Sequence, residues 1–153
     1  MTRALRSRAQ RLITVIRDRA FAELRRGRGE LAPLALTMDD AGRIGMIAVY
    51  TGDSYGHPDN QLADLQATVK RQVSMHALDS AATAHYELVT LAPDGAPVDA
   101  ICVQYETRRA APLRIYFPYT IKKKLSAPPE ITTLVPVTTA GTRVMFGAGS
   151  DDG

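Results

Sequence analysis

The stretch ATAHYELVTLAPDGAPVDAICVQYETRRAAPLRIYFPY, residues 82–119, decides the predicted fold. It holds three segments rich in apolar and β-branched residues, separated by the short sequences PDGAP and RRAAP. Pro, Gly and Asp favour turns, and β-branched and aromatic residues favour strands. The stretch therefore predicts three antiparallel strands in series, joined by two hairpins, at Ala82–Leu91, Val98–Thr107 and Pro112–Tyr119.

The two hairpins predict one shared apolar face. A first turn centred near residues 94–95 pairs Tyr86 with Val103. A second turn centred near residue 110 pairs Val103 with Phe117. A slip of one residue would mix apolar with polar side chains, so the agreement of the two registers supports both. We expect this face to form the core and to pack against a helix over residues 58–79.

The same register predicts a polar opposite face. Cross-strand neighbours lie about 5 Å apart, so a histidine, a carboxylate and a phenol on this face could do acid–base chemistry in a cleft. The alternative is an ordinary solvated sheet surface with cross-strand pairs. The candidate ligand-binding residues are His85, Glu87, Gln104 and Tyr116, and the predicted rows are His85–Gln104–Tyr116, Glu87–Cys102–Pro118 and Glu106–Arg114.

The rest of the chain completes an α+β pattern. An amphipathic helix is predicted over residues 3–26, because apolar residues recur there at helical spacing. The predicted order is α-β-β-α-β-β-β(-β), a twisted, mainly antiparallel sheet of five to six strands with two helices packed on it. The other predicted strands are Leu34–Asp39, Arg43–Tyr50, Ile131–Val137 and Thr142–Phe146. We expect a single domain over residues 1–147 and a disordered acidic tail over residues 148–153.

Positive charge is concentrated near the N-terminus and after the third strand of the series. Residues 1–30 carry nine arginines and three acidic residues, a net +6 in a chain of net +3. The favoured interpretation is a docked helix with a solvated arginine face, and the alternatives are an anion-binding arm or an oligomer interface. The run FPYTIKKKL, residues 117–125, is interpreted mainly as a solvated strand end. The candidate anion or partner contacts are Arg17, Arg25, Lys122, Lys123 and Lys124.

Several classes of site are not expected. One cysteine, Cys102, cannot form a disulfide within the chain and is predicted to be a buried structural residue. The histidines, His57, His76 and His85, are not at ligand spacing from one another, so no metal site is predicted. No phosphate-binding loop occurs, and no cofactor is expected. No apolar run approaches ~18 residues, so we expect a cytoplasmic protein with no membrane contact.

The chain as a whole resembles a group of short bacterial proteins of unassigned function. The resemblance rests on the order helix, hairpin, helix and sheet, on Asp99-Ala100-Ile101, and on Phe117-Pro118-Tyr119 at a strand end. It would cover about residues 8–147 and implies a single cytoplasmic domain. It implies no activity, cofactor or catalytic residue.

Three functions stay open at this point. The leading hypothesis is a small binding or regulatory protein without enzymatic activity, acting on an unidentified protein partner and as a homodimer. The second is a small-molecule binder or enzyme that uses the polar face, provided that the N-terminal helix covers that face. The third is nucleic-acid binding through the arginine helix and Lys122–Lys124, with an affinity that falls steeply with salt.

Overall fold

The computed structural model describes residues 3–27, 29, 31–47 and 58–147. They form two helices and seven strands, which confirms the predicted α+β class. The helices are α1 (Arg3–Arg26) and α2 (Pro58–Met75). The strands are β1 (Leu34–Asp39), β2 (Ile44–Ile47), β3 (Leu78–Val89), β4 (Val98–Thr107), β5 (Ala110–Lys122), β6 (Glu130–Thr133) and β7 (Val137–Ala140).

All the strands join one antiparallel sheet in the order β2-β1-β3-β4-β5-β6, with β7 also paired to β5. The long strand β5 holds two short partners along one edge. Residues 113–116 pair with β7, and residues 119–122 pair with β6. The strands β6 and β7 therefore follow each other along one edge of the sheet.

The predicted pairing registers of β3, β4 and β5 are each wrong by two residues. Tyr86 pairs with Ile101 rather than Val103, and Ile101 rather than Val103 pairs with Phe117. For β4 and β5, Thr107 pairs with Ala110 across a two-residue turn, and a register shift lies between Tyr105 and Thr107. For β3 and β4, the closing pair is Val89 with Val98, so the connection is centred between residues 93 and 94. A shift of two residues keeps every side chain on its predicted face, because side chains alternate with a period of two.

The helix on the apolar face is α1, not α2 as predicted. Its stripe of Leu12, Ile16 and Leu24 is fully buried against the face that carries Ile101 and Val103. The longer helix brings more apolar area, so it covers the face with the larger side chains. At the far end of the contact, the rings of Phe21 and Tyr119 meet edge to face at 5.8 Å.

Helix α2 covers the opposite face of the sheet. Its residues Leu65, Val69 and Val73 pack against the small residues Ala35 and Ala81. Met145 and Phe146, from the segment after β7, complete this second core. The sheet is thus enclosed on both faces over the first half of β3, where residues 79–84 are all buried.

Several element boundaries differ from those predicted. Helix α2 ends at Met75 rather than 79, and β3 begins at Leu78 rather than Ala82. Strand β5 extends to Lys122, which is therefore a strand residue. The strand predicted at Thr142–Phe146 is wrong, because residues 144–146 form a bend. Their backbone N–H groups donate to the buried Glu106 carboxylate at 2.9–3.1 Å instead of to a neighbouring strand.

The hairpin of β1 and β2 is confirmed at Leu34–Asp39. The Asp39 carboxylate accepts hydrogen bonds from the backbone N–H groups of Ala41 and Arg43 at 2.9 Å, and Gly42 has a φ of 83°. The hydrogen bond from the Arg43 backbone N–H holds the Asp39 pKa below its usual value, and the Arg43 side chain and the Ala41 N–H lower this pKa further. Residues 48–57 and the predicted tail at 148–153 lie outside the described residues. Neither described helix has the length and apolar content that a membrane span needs.

Candidate functional site

The polar face of β3, β4 and β5 lies under the N-terminal half of α2. Gln66 of α2 is buried, and its Nε2 donates to Gln104 Oε1 on β4 at 3.1 Å. Leu62, one turn earlier, lies over the same strands. A cavity of about 260 Å³, called here the inner cavity, lies beside this contact. It is lined by Leu62, His85, Tyr86, Glu87, Cys102, Gln104 and Arg114.

Strand alternation and register explain why these side chains meet. His85 and Glu87 are two residues apart on β3 and so point to one face. Cys102 lies directly opposite His85, and Tyr116 lies opposite Cys102 on the next strand. Of the four predicted site residues, His85, Glu87 and Gln104 line the inner cavity, while Tyr116 lies in the adjacent row on β5.

The structure also corrects the predicted rows and adds two residues. Arg114 lies opposite Gln104 rather than Glu106, and Cys102 lies opposite His85 rather than Glu87. The sequence analysis missed the position of Cys102 because it centred the first turn near residues 94–95, and that of Arg114 because it centred the second turn at residue 110. A two-residue turn at Arg108-Arg109 was the available signal, since paired polar residues between two apolar runs suit a tight hairpin.

The charges in the inner cavity act on one another. Burial raises the pKa of the Cys102 thiol to about 12, and the neighbouring Glu87 charge raises it further than Arg114 lowers it. Burial also raises the pKa of the Tyr116 phenol, which contacts Arg114. The free thiol is therefore neutral at ordinary pH, beside a carboxylate and a guanidinium.

Two buried polar atoms of the cavity lack a hydrogen-bond partner among the described residues. They are Oε2 of Glu87 and Nε of Arg114. Leaving a buried polar atom unpaired costs about 1–3 kcal/mol, so such atoms are usually paired with protein or with something bound. The Glu87 oxygen can therefore accept a hydrogen bond from a bound molecule, and the Arg114 nitrogen can donate one to it.

His85, Glu87 and Cys102 could also hold a metal ion. One ligand atom from each lies within 4.8 Å of the other two. The sequence prediction of no metal site rested on the spacing between histidines along the chain. It could not detect ligands brought together across two strands.

A larger cavity of about 650 Å³, called here the outer cavity, adjoins the inner one. It lies beside residues 85–89 of β3, because β1 begins at Leu34 opposite Ala84 and pairs no further along that strand. Near its mouth Tyr86 donates its hydroxyl to Asp99 at 2.6 Å, a bond that raises the Tyr86 pKa. Both cavities share Leu62, His85 and Tyr86, and the outer one is also lined by Gly29, Leu31, Ala32, Pro33, Gln61, Asp99, Tyr119, Ile121 and Lys123.

The predicted anion contacts divide into two groups. Arg25, Lys123 and Lys124 line one cavity of about 790 Å³, called here the basic cavity, together with Arg26 and residues 125–129. Ion pairs engage part of its charge, since Lys124 pairs with Glu130 at 3.4 Å. Among the described residues, no aromatic side chain lines this cavity, and stacking aromatics are typical of single-strand nucleic-acid sites.

The remaining two candidates lie outside the basic cavity. Lys122 is an exposed residue at the end of β5, as the strand-end interpretation requires. Arg17 pairs with Asp18 at 2.9 Å, and its guanidinium lies over the Phe117 ring at 5.9 Å. It therefore covers the edge of the α1 core.

Comparisons with known proteins give no assignment. No family model matches this chain, and no curated protein or solved structure is significantly similar to it. The resemblance to short bacterial proteins stays a prediction. The functional argument therefore rests on the geometry of the sheet and its cavities.

Proposed function

We propose that this protein binds a small organic molecule in the inner and outer cavities. The observation that carries the proposal is the cover that α2 gives to the polar face. Gln66 bonds to Gln104 and Leu62 lines the space above the strands, which turns a sheet surface into a partly covered cleft. The sequence analysis required the N-terminal helix to cover the polar face. Helix α1 packs on the opposite face instead, and α2 provides the cover.

The chemistry of the two cavities favours a molecule with an anionic end and an apolar body. The Arg114 guanidinium and the Gln104 amide lie in the inner cavity, where a carboxylate would satisfy the unpaired Nε. The outer cavity adds Leu31, Pro33 and Ile121 as apolar lining. A few polar groups at the end of an apolar cleft are the usual composition of ligand sites.

Native mass spectrometry of gently purified protein tests the proposal. We expect an added mass that survives desalting and that is lost in Arg114→Met. Arg109→Met is the matched control, because Arg109 is exposed at the β4–β5 turn and lines neither cavity. Amide chemical shifts from a screen of small carboxylates should move in residues 85–87, 102–104 and 114–116. Absence of both an added mass and such shifts would reject the proposal.

One observation favours a second function, binding of a protein partner or of a second copy. The outer edge of β6 and β7 pairs with no other strand among the described residues, and Val135 beside it is 81% exposed. Open edges with apolar side chains accept additional strands. We propose Val135→Lys as the test, with light scattering and a pull-down as readouts. An unchanged mass and an unchanged set of captured proteins would argue against this edge.

A further inference from the structure

We propose that His85, Glu87 and Cys102 form a binding site for a zinc ion at the inner end of the cavity under α2. This inference deepens the proposed function, because the ion would occupy the same cavity as the organic ligand. It also predicts the class of that ligand, since a small carboxylate could reach both the ion and Arg114. Its test uses the metal alone and does not require the ligand to be known.

The backbone geometry supplies three ligands from two strands. His85 and Glu87 project from one face of β3, and Cys102 projects from the same face of β4 directly opposite His85. Zinc binds such ligands at about 2.0–2.3 Å, which places tetrahedral ligand atoms about 3.4–3.8 Å apart. The three atoms already lie within 4.8 Å of one another, so side-chain movements of about 1 Å complete the site.

The ligand chemistry favours zinc over the common hard cations. A thiol and an imidazole are soft or borderline ligands, whereas Mg²⁺ and Ca²⁺ require oxygen ligands. Three protein ligands leave one tetrahedral position open, which is typical of zinc sites that bind a further molecule. All three ligand residues line the inner cavity, where a further molecule could take that position.

A bound ion would also satisfy a buried polar atom of the cluster. Oε2 of Glu87 is buried and accepts no hydrogen bond from the described residues, and a cation would satisfy it. The neutral thiol beside it would lose its proton on binding, and the resulting thiolate and carboxylate together balance the ion's charge. The charged or titratable groups that face the thiol are His85 and Glu87 on β3 and Arg114 and Tyr116 on β5.

Titration of the full chain with Co²⁺ and Zn²⁺, after removal of metals with a chelator under reducing conditions, tests the inference. We expect one ion per chain and a thiolate-to-cobalt charge-transfer absorption that Zn²⁺ displaces. Cys102→Ser should abolish this absorption, and His85→Gln and Glu87→Gln should each weaken binding at least about tenfold. The matched controls are His76→Gln and Glu130→Gln, whose side chains are exposed and lie outside the cluster. Circular dichroism checks that each variant is folded.

Two results would overturn the inference. One is the absence of the charge-transfer absorption in the folded wild-type chain. The other is equal affinity in wild type, Cys102→Ser and His85→Gln. As a second measurement, Zn²⁺ should raise the Tm of the wild type but not of Cys102→Ser, because only binding to the folded state stabilises it.

The outcome for zinc can be separated from that for the organic ligand. Binding of a small carboxylate by the chelator-treated protein, without zinc binding, would overturn the metal site and leave the proposed function intact. Binding of zinc without binding of any carboxylate would support the metal site and overturn the proposed organic ligand. Loss of both would reject the cavity as a binding site.

Discussion

The Glu106 carboxylate is the contact on which the C-terminal segment depends. This side chain is fully buried in β4, and its two oxygens accept hydrogen bonds from the backbone N–H groups of Val144, Met145 and Phe146 at 2.9–3.1 Å. Three successive N–H groups around one carboxylate form an anion-binding concavity made by the chain itself. We expect Glu106→Ala to destabilise the protein more than substitution of any exposed acidic residue.

The magnitude follows from the cheaper of two responses to Glu106→Ala. If the segment stays in place, three N–H groups are left unpaired, at about 1–3 kcal/mol each. If it detaches, Met145 and Phe146, which are almost fully buried, become exposed at about 1.5–3 kcal/mol each. The first response costs about 3–9 kcal/mol and the second about 3–6 kcal/mol, so the cheaper one gives an expected loss of about 3–6 kcal/mol. Glu106→Gln keeps one oxygen acceptor and should cost about 1–3 kcal/mol.

Urea unfolding of wild type, Glu106→Ala and Glu106→Gln measures these differences. Glu23→Gln is the control, because its ion pair with Arg26 is exposed and should contribute less than about 1 kcal/mol. Amide hydrogen exchange should accelerate first at Val144–Phe146 in both Glu106 variants. A loss below about 1 kcal/mol in Glu106→Ala, or unchanged exchange at those amides, would refute the reasoning.

Three further predictions concern stability. First, burial raises the pKa of Cys102 from its ordinary value of 9.0 to about 12, so stability should be complete below pH 9 and fall between pH 9 and 12, by up to about 4 kcal/mol. Urea midpoints at pH 8, 10 and 11 should show a smaller decline in Cys102→Ser, and equal declines would contradict the assignment. Second, Leu12→Ala in the α1 core should cost about 2–5 kcal/mol, whereas Val15→Ala, at a 38% exposed site, should cost far less. Third, Gly42→Ala should cost about 1–2 kcal/mol from backbone strain at a φ of 83°, because an added Cβ would meet only ordinary contacts. A Tm equal to that of the wild type would show that this turn tolerates the change.

Much of the fold follows from local patterns in the sequence. The apolar stripe of α1 spans six helical turns, so its bounds at Arg3–Arg26 could be predicted from periodicity. Strand β1 could be predicted because Asp39 and Gly42 carry the turn chemistry that ends it. The sheet face that each helix covers could not be predicted, because α1 and α2 both carry an apolar stripe and either face could receive either helix.

The sequence of β3 indicates that both of its faces are buried, and the prediction of helix positions did not use this signal. Residues 80–84, Ser-Ala-Ala-Thr-Ala, are small and show no alternation of apolar and polar side chains. Unbroken small or apolar runs are typical of strands covered on both faces. Alternation begins only at His85, where the exposed and half-buried residues take turns. This run was therefore an available signal for cover on both faces over the first half of β3, and the sequence analysis did not use it.

The candidate site shows what can be predicted when the face of each strand residue is known but its cross-strand partner is not. The predicted registers of β3, β4 and β5 were wrong by two residues, which left every face correct and every row wrong. Two residues along a strand are about 7 Å, a harmless error for a hydrophobic core but a decisive one for a site whose ligands must lie within 4 Å. With the predicted register His85 meets Gln104, and no metal chemistry follows. With the observed one it meets Cys102. The connection between β3 and β4 supplies that difference, because its closing pair is Val89 with Val98. Residues 90–97 of that connection do not line the inner cavity, so the identity of the site depends on residues outside it.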